Sequence, residues 1–385
     1  MLEITAQKEN GLCTLKVSGR IDSANAGEFE EKALAADTEP KLVLDLEGLE
    51  YVSSAGLRVI LRLRKQHADL ELKNASTEVY EIFDMTGFTE MMHITRAYRT
   101  VSIDGCEVIG RGANGEVYRI DPDTVVKVYL NPDSLEDIEH ERDVARKALV
   151  LGIPTAISYD VVKVGDHYAS MFECLNAKSF SKLLAADPAG LDGYAQRYID
   201  LLKLIHSTEV PAGQLPDQRL VTISWVKDLK DTLPADVYDK LLAMVEEIPH
   251  DDHMMHGDYH TKNIMLQNDE VILIDMDTLA VGHPVLEFAS MFNAFQGFSI
   301  LDRNNILEFL GFSYEIGTAF WKKSLELYFG TTDAAFLAHK EDQAKIVGYT
   351  RLLRRTIIRN GDPALRDRYK EELCDLVRRV DSLID

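Results

Sequence analysis

The stretch His256-Gly257-Asp258-Tyr259-His260-Thr261-Lys262-Asn263, followed by Ile274-Asp275-Met276-Asp277, decides how this chain is to be read. It spaces an acid and an amide closely, then supplies another acid a short hairpin later. Phosphoryl transfer asks for these groups in this order. One carboxylate receives the proton of the attacking hydroxyl, and an amide and a second carboxylate hold Mg2+ on the nucleotide phosphates. Asp258 is therefore the candidate catalytic base, and Asn263 and Asp275 are the candidate metal ligands, with Asp277 as a helper. Residues 264–266 and 271–274 are short apolar runs around the turn Gln267-Asn268-Asp269-Glu270, a pattern that predicts a hairpin. That hairpin would bring Asn263 and Asp275 together.

Upstream, Ile109-Gly110-Arg111-Gly112-Ala113-Asn114-Gly115-Glu116-Val117-Tyr118-Arg119-Ile120 carries a GxGxxG pattern. A dinucleotide site would place such glycines between a strand and a helix. Here they are followed by alternating Val117, Arg119 and Ile120, the turn Asp121-Pro122-Asp123, and the apolar run Val125-Val126-Lys127-Val128-Tyr129. The glycines thus sit on a hairpin flap, where Gly110, Gly112 and Gly115 let backbone N–H groups approach phosphate closely. The chain contains no GxxxxGK[ST] loop.

Lys127 lies inside an apolar strand, and a buried ammonium needs a partner. A helix predicted over 135–151 offers Glu141, with Glu139 as the second candidate. Such a pair would hold the lysine toward the α and β phosphates. Residues 169–175 read as an apolar strand opening into a loop, where a connection between two lobes should fall. Glu173 and Leu175 are the candidates there for pairing with an adenine edge. The helix predicted over 191–206 ends Leu204-Ile205-His206, and His206 is expected to be structural.

Residues 107–300 resemble the aminoglycoside phosphotransferase and choline kinase-like branch of the protein-kinase fold. The resemblance rests on His256-Gly257-Asp258, Ile274-Asp275-Met276-Asp277 and the Leu-Ile-His206 helix end. It implies that Asp258 is the base, that Asn263 and Asp275 bind magnesium, and that Lys127 and Glu141 form the phosphate-orienting pair. It also implies that Gly110, Gly112 and Gly115 cover the nucleotide. The family often has Gly-Asp-Pro and Asp-Leu-Ala after the second metal acid. This chain has Gly282-His283-Pro284 and Glu287-Phe288-Ala289, with Glu287 expected to brace the catalytic loop. Beyond residue 300, helices are predicted over 315–329, 340–358 and 363–384. In the family the acceptor pocket lies between the catalytic loop and such helices. Arg351, Arg354, Arg355 and Arg359 share one of them, where a salt-bridged surface is the expectation and recognition of an acidic or phosphorylated group the alternative.

The first hundred residues read differently. Strands are predicted over 2–6 and 12–17, turned at Glu9-Asn10-Gly11, then a helix over 24–35 and a buried strand at Val43-Leu44-Asp45-Leu46. Tyr51-Val52-Ser53-Ser54-Ala55-Gly56-Leu57 is a strand-to-helix turn, and the helix runs to Gln66. A strand near 70–72, a helix over 77–85 and a strand near 93–97 complete a small α/β sheet domain with helices on one face. Gly19-Arg20-Ile21-Asp22, the run from Leu46 to Leu57 and Ile82-Phe83-Asp84-Met85-Thr86-Gly87-Phe88 resemble a STAS domain, the fold of bacterial anti-sigma factor antagonists. In that family the turn reads Asp-Ser-Ser/Ala-Gly-Leu and its first Ser is phosphorylated. Ser54 falls on that position and is a candidate phosphosite, while Ser53 replaces the Asp. A phosphate at a helix N-terminus meets free N–H groups and the positive dipole end. An N-cap is the other role open to Ser53 or Ser54.

The expected architecture is thus α/β plus α+β. A STAS-like regulatory domain over 1–100 and a linker at 101–106 precede a bilobal kinase-like phosphotransferase, with its N-lobe over 107–175 and its largely helical C-lobe over 176–385. A chain of 385 residues has room for two or three domains. A formal charge of −22 argues against a nucleic-acid partner and tilts weakly toward cationic substrates. No apolar run is long enough to span a bilayer, and the first residues start a strand rather than a signal peptide, so a cytoplasmic setting is expected. Cys13, Cys106, Cys174 and Cys374 lie far apart, as reduced thiols would.

The expected function is ATP- and Mg2+-dependent transfer of a phosphoryl group to a small-molecule hydroxyl. Aminoglycosides, choline-like amines, sugars and homoserine are the acceptor classes open to it. The STAS-like module would meet a protein partner. The alternatives are a protein serine kinase with Ser54 as acceptor, and a nucleotide-binding signalling scaffold.

Overall fold

A computed structural model describes residues 2–36, 40–112 and 114–385, so Ala113 of the glycine flap lies outside the described residues. The chain divides into two compact units, Met1–Asp104 with Val161–Ala169, and Gly105–Asp160 with Ser170–Asp385.

In the first unit five strands pair in the order β1-β2-β3-β4-β5: β1 (Glu3–Glu9), β2 (Leu12–Ile21), β3 (Lys41–Val52), β4 (Glu71–Ala75) and β5 (His93–Arg96). β1 and β2 form an antiparallel hairpin in which Asn10 and Gly11 both take positive φ, the requirement of a two-residue turn matched to strand twist. The remaining pairs are parallel. Their crossovers run through α1 (Ala26–Ala36), α2 (Ser54–Gln66) and α3 (Thr77–Met85). Each crossover steps the same way along the sheet, and right-handed connection then puts all three helices on one face. Phe29, Val59, Ile60, Leu63, Val79 and Phe83 from these helices meet Leu15, Val17, Leu44 and Leu72 from the strands in one core. β3 is longer than the sequence suggests. Register shifts against β2 let it continue past Gly48, with Leu49 and Val52 still buried, up to the Ser53 cap. A short helix, α4 (Phe88–Met91), precedes β5.

The second sheet has the order β6-β7-β8-β10-β9, with β6 (Glu107–Arg111), β7 (Gly115–Asp121), β8 (Thr124–Tyr129), β9 (Asp160–Val164) and β10 (His167–Glu173). The glycines therefore lie at the β6–β7 hairpin, and Lys127 is on β8. The helix α5 (Leu135–Val150) buries Ile138, Glu141, Val144, Ala145 and Ala148. That spacing puts Glu141 on the apolar stripe, while Glu139 is exposed. Beyond residue 175 the unit is mostly helical. Leu191–His206, Pro284–Phe295, Tyr314–Phe329, Ala334–Ile358 and Pro363–Arg379 surround a core that includes Tyr198, Tyr259, Phe292, Phe295, Phe320 and Trp321. No helix among the described residues is long and apolar enough to cross a membrane.

Candidate active site

The hairpin after the Asp258 loop forms as its sequence directs. Ile264–Gln267 pairs antiparallel with Glu270–Leu273, and Asn268 and Asp269 supply the positive φ values of its tight turn. The Ile274 N–H then donates to the Asn263 carbonyl at 2.9 Å, which seats Asp275 beside Asn263. Asp275 itself has φ of 65°, in the left-handed region that a non-glycine residue occupies only where its surroundings enforce it. Asn263 Nδ2 donates to the Asp258 carbonyl at 3.1 Å, so the amide group ties the two ends of the loop.

A single cavity of about 1240 Å³ collects the rest. Gly110, Gly112, Gly115, Lys127, Glu141, Glu173, Leu175, Asp258, Asn263, Asp275 and Asp277 all line it. Every site candidate drawn from the second part of the sequence thus faces one space. Ser54 belongs to the other unit, where its side chain is exposed. The Ser53 hydroxyl accepts from the Gly56 N–H and caps α2, so the capping role falls to Ser53 and not Ser54.

Lys127 Nζ lies 3.0 Å from both carboxylate oxygens of Glu141 and 2.9 Å from Asp275 Oδ1. Tyr129 donates its hydroxyl to Glu141 at 2.6 Å. Burial alone would pull the lysine down, but the charges of Asp275 and Glu141 more than reverse this and hold it above the ordinary lysine range. Asp277 goes the other way. Burial, then the charges of Asp275 and Glu141, push its carboxyl up to about 7. Three carboxylates crowded around one ammonium leave negative charge that a divalent cation would neutralise. The oxygen donors of Asn263 and Asp275 are the hard ligands that Mg2+ takes, with nucleotide phosphates and waters supplying the rest. Among the described residues no group of three or more His, Cys, Asp or Glu side chains is placed to hold a metal ion by itself.

Asp258 is held in place from several sides. Its N–H donates to His256 Nδ1 at 3.2 Å, and His260 Nε2 lies 3.5 Å from its carboxylate. Burial would raise its carboxyl. The close approach of His260 and the charges of His260, Arg351 and His256 outweigh that and keep it well below the usual carboxylate range. Behind the loop, the fully buried Glu287 accepts from the backbone N–H groups of His256 and Gly257 and from the Ser290 hydroxyl. His206 approaches the same carboxylate at 3.9 Å and hydrogen-bonds Tyr328 at 2.8 Å, which makes it a support for the brace. Gly257 has φ of +80°, and a Cβ there would come within 2.5 Å of the Thr278 carbonyl, so only glycine fits.

Two contributors escaped the sequence reading. His260 was part of the quoted stretch but had no role assigned, although its position two residues after Asp258 is the available signal. The arginine cluster is corrected in part. Arg354 does form a surface pair with Asp228, but Arg351, Arg355 and Arg359 line the cavity. Arg351 donates to the Gly257 carbonyl at 2.8 Å.

Comparison with known proteins agrees with this division. The model of the phosphotransferase enzyme family matches residues 105–320, and that of the STAS domain matches residues 3–102. A protein of Bordetella bronchiseptica assigned to the anti-sigma factor antagonists is 35% identical over 102 residues, 25% of this chain and 88% of the relative. The anti-sigma-B factor antagonist of Bacillus subtilis is 30% identical over 94 residues, 23% of this chain and 85% of the relative. Among solved structures, ADP-bound aminoglycoside phosphotransferase APH(2'')-Ib is similar at a TM-score of 0.50 and 16% identity, covering 78% of this chain and 99% of its own. A thermostable mutant of APH(4)-Ia with ADP and hygromycin B gives 0.50 and 13%, covering 71% and 93%. At such identities the likeness is one of fold.

Proposed function

This chain belongs to the phosphotransferase enzyme family, with a STAS domain of the anti-sigma factor antagonist kind over its first hundred residues, and on that premise we propose an ATP- and Mg2+-dependent kinase of a small-molecule hydroxyl. The observation that carries this is the convergence of Asp258, Asn263, Asp275 and the Lys127–Glu141 pair on one cavity beneath a glycine flap. In the proposed reaction the acceptor oxygen bonds to the γ-phosphorus, the bond from that phosphorus to the β–γ bridging oxygen breaks, and ADP leaves. The hydroxyl proton passes to Asp258. A depressed carboxyl is a weak base, which suits a loose transition state in which the proton leaves late and orientation matters most. Lys127 would meet the α and β phosphates. Asn263 and Asp275 would hold Mg2+, which neutralises phosphate charge when bound. The Cys174 N–H donates to the Asp123 carbonyl at 2.7 Å. Glu173 and Leu175 flank it at the end of β10 and line the cavity, and their backbone would be the candidate for the adenine edge. The STAS domain would regulate the enzyme or dock a protein partner.

The test is ADP release from ATP across an acceptor panel, with nucleotide binding measured in parallel. EDTA is expected to abolish release, with excess Mg2+ restoring it. Asp275→Asn should raise the Mg2+ concentration needed for half-maximal rate by about tenfold or more, the order of losing one charged oxygen contact. Undiminished turnover in EDTA would remove the metal from the proposal.

One observation supports a second reading, that of a protein serine kinase: with Ser53 serving as cap, the exposed Ser54 hydroxyl is left available. On the main reading, the Ser54 peptide stays unmodified by mass spectrometry after the purified chain is incubated with Mg-ATP. Phosphate at Ser54, absent from the Asp258→Asn protein, would favour the second.

A further inference from the structure

Arg351, Arg355 and Arg359 recur at every fourth residue along the Ala334–Ile358 helix and its C-terminal cap, which sets them on one side of it. All three line the cavity, and Lys262 joins them from the catalytic loop. None of the four forms an ion pair with a carboxylate among the described residues, although the charge of Asp258 acts on Arg351 and Arg355 from across the cavity. Arg351 bonds a neutral carbonyl and lies over the Trp225 ring. Arg355 lies over Phe298 at 5.5 Å, and Lys262 over Phe309 at 5.3 Å. Aromatic faces orient a cation without cancelling its charge. The arginines also feel one another: burial, then the charges of Arg359 and Arg351, hold Arg355 below the usual guanidinium range. Arg355, Arg359 and Lys262 are exposed, so water screens their mutual repulsion, but a cleft wall of one sign still gathers the opposite charge. Among the described residues the acids facing this stretch of the wall are Glu308, Asp362 and Asp258; Asp362 already accepts the Ala364 N–H at 2.8 Å as a helix cap, and Asp258 is the base of the proposed reaction.

We propose that the acceptor phosphorylated here is an anion, a hydroxyl compound whose carboxylate or phosphate group is gripped by Arg355 and Arg359. This rests on the phosphotransfer reading above and narrows it. Arginine forks match the two oxygens of a carboxylate or phosphate, which a point charge does not. The inference runs against the weak tilt toward cations given by the net charge of −22. The sign of the whole surface does not set the sign of this wall. An aminoglycoside would have to seat its ammonium groups against four cationic side chains.

The experiment titrates the intact chain, with Mg-ADP present, with three groups of probes: hydroxylated monocarboxylates such as gluconate, phosphate monoesters such as glucose 6-phosphate, and kanamycin with neutral glucose as controls. Calorimetry reads binding, and ADP release from Mg-ATP reads turnover. One or both anionic groups are expected to bind more tightly than kanamycin and glucose, and which of them does so identifies the anion. In the double variant Arg355→Gln/Arg359→Gln that binding should weaken by about 10- to 100-fold, as for lost charge-assisted hydrogen bonds. KM for the anion should rise while kcat changes little. Mg-ATP affinity, unchanged in the variant, shows that it is folded. Preferential binding of kanamycin, no anion binding, or anion binding indifferent to the double substitution would each overturn the proposal. Anion binding without any Asp258-dependent turnover would leave this anion site standing and sink the phosphotransfer reading instead.

Discussion

Replacing Asp258 with Asn is expected to lower kcat by about 10²- to 10⁴-fold, the range for loss of a positioned general base. The amide keeps the shape of the side chain, and the backbone bonds to His256, Asn263 and Glu287 do not involve it, so the loop should stay where it is. What disappears is the negative charge that, in the proposed reaction, would orient the acceptor hydroxyl and take its proton. Nucleotide binding should be nearly unchanged, because Lys127, Asn263 and Asp275 are untouched. The pH profile follows from the direction of the Asp258 shift. Its carboxyl is depressed by His260 and the positive charges around it. It is therefore ionised throughout the neutral range, and its acid limb in kcat/KM should appear only below the ordinary aspartate value of about 3.9. Rapid single-turnover measurements on wild type and variant would check this. A variant that turns over as fast as wild type would show that Asp258 is not the base.

Removing the brace should be the most damaging change to stability. Glu287→Ala would strip the partner from two buried backbone N–H groups and the Ser290 hydroxyl. Breaking a buried charge network in this way costs on the order of 3–5 kcal/mol. Urea unfolding should show the midpoint falling by that equivalent, and a midpoint within error of wild type would mean that water replaces the carboxylate. Glu287→Gln should fall between the two, since one amide oxygen can still accept. The pH dependence has a definite sign. Burial would raise the Glu287 carboxyl, but the approach of His206 at 3.9 Å, the charge of His256 and the His256 N–H that it accepts lower it overall. A depressed folded value means that the contribution is complete above the unfolded glutamate value of about 4.3 and is lost as pH falls through the folded one. The wild-type advantage over Glu287→Ala should therefore shrink on acidification.

The parts of this molecule that the sequence made plain are those in which chemistry and periodicity agree. Glu141 could be chosen over Glu139 because it falls in step with Ile138, Ala145 and Ala148 on α5. The hairpin between Asn263 and Asp275 announced itself through two apolar runs and an Asn-Asp turn. The Pro284–Phe295 helix was silent for a physical reason. Every residue from Val285 to Phe295 is buried, so it has no polar face and no stripe. Its only marks are Pro284 at the first helical position and the His283 cap. The arginines were misjudged because a helix carrying several cations is ordinarily a solvated surface. The step of four that separates Arg351, Arg355 and Arg359 from Arg354 tells which side they share, but not that a catalytic cavity lies on it. That is settled by tertiary packing between segments nearly a hundred residues apart, as in the Arg351–Gly257 contact.

Because the catalytic loop is fastened from its rear, through main-chain amides held by Glu287 and through a glycine with no room for a side chain, its curvature owes little to whatever fronts the acceptor. Chemistry and choice of customer are thereby uncoupled. Side chains at the mouth can be swapped by mutation, over evolutionary time or at the bench, while the machinery behind them keeps its aim. A library varied only at Lys262, Glu308, Arg355 and Arg359 is where altered specificity should be sought.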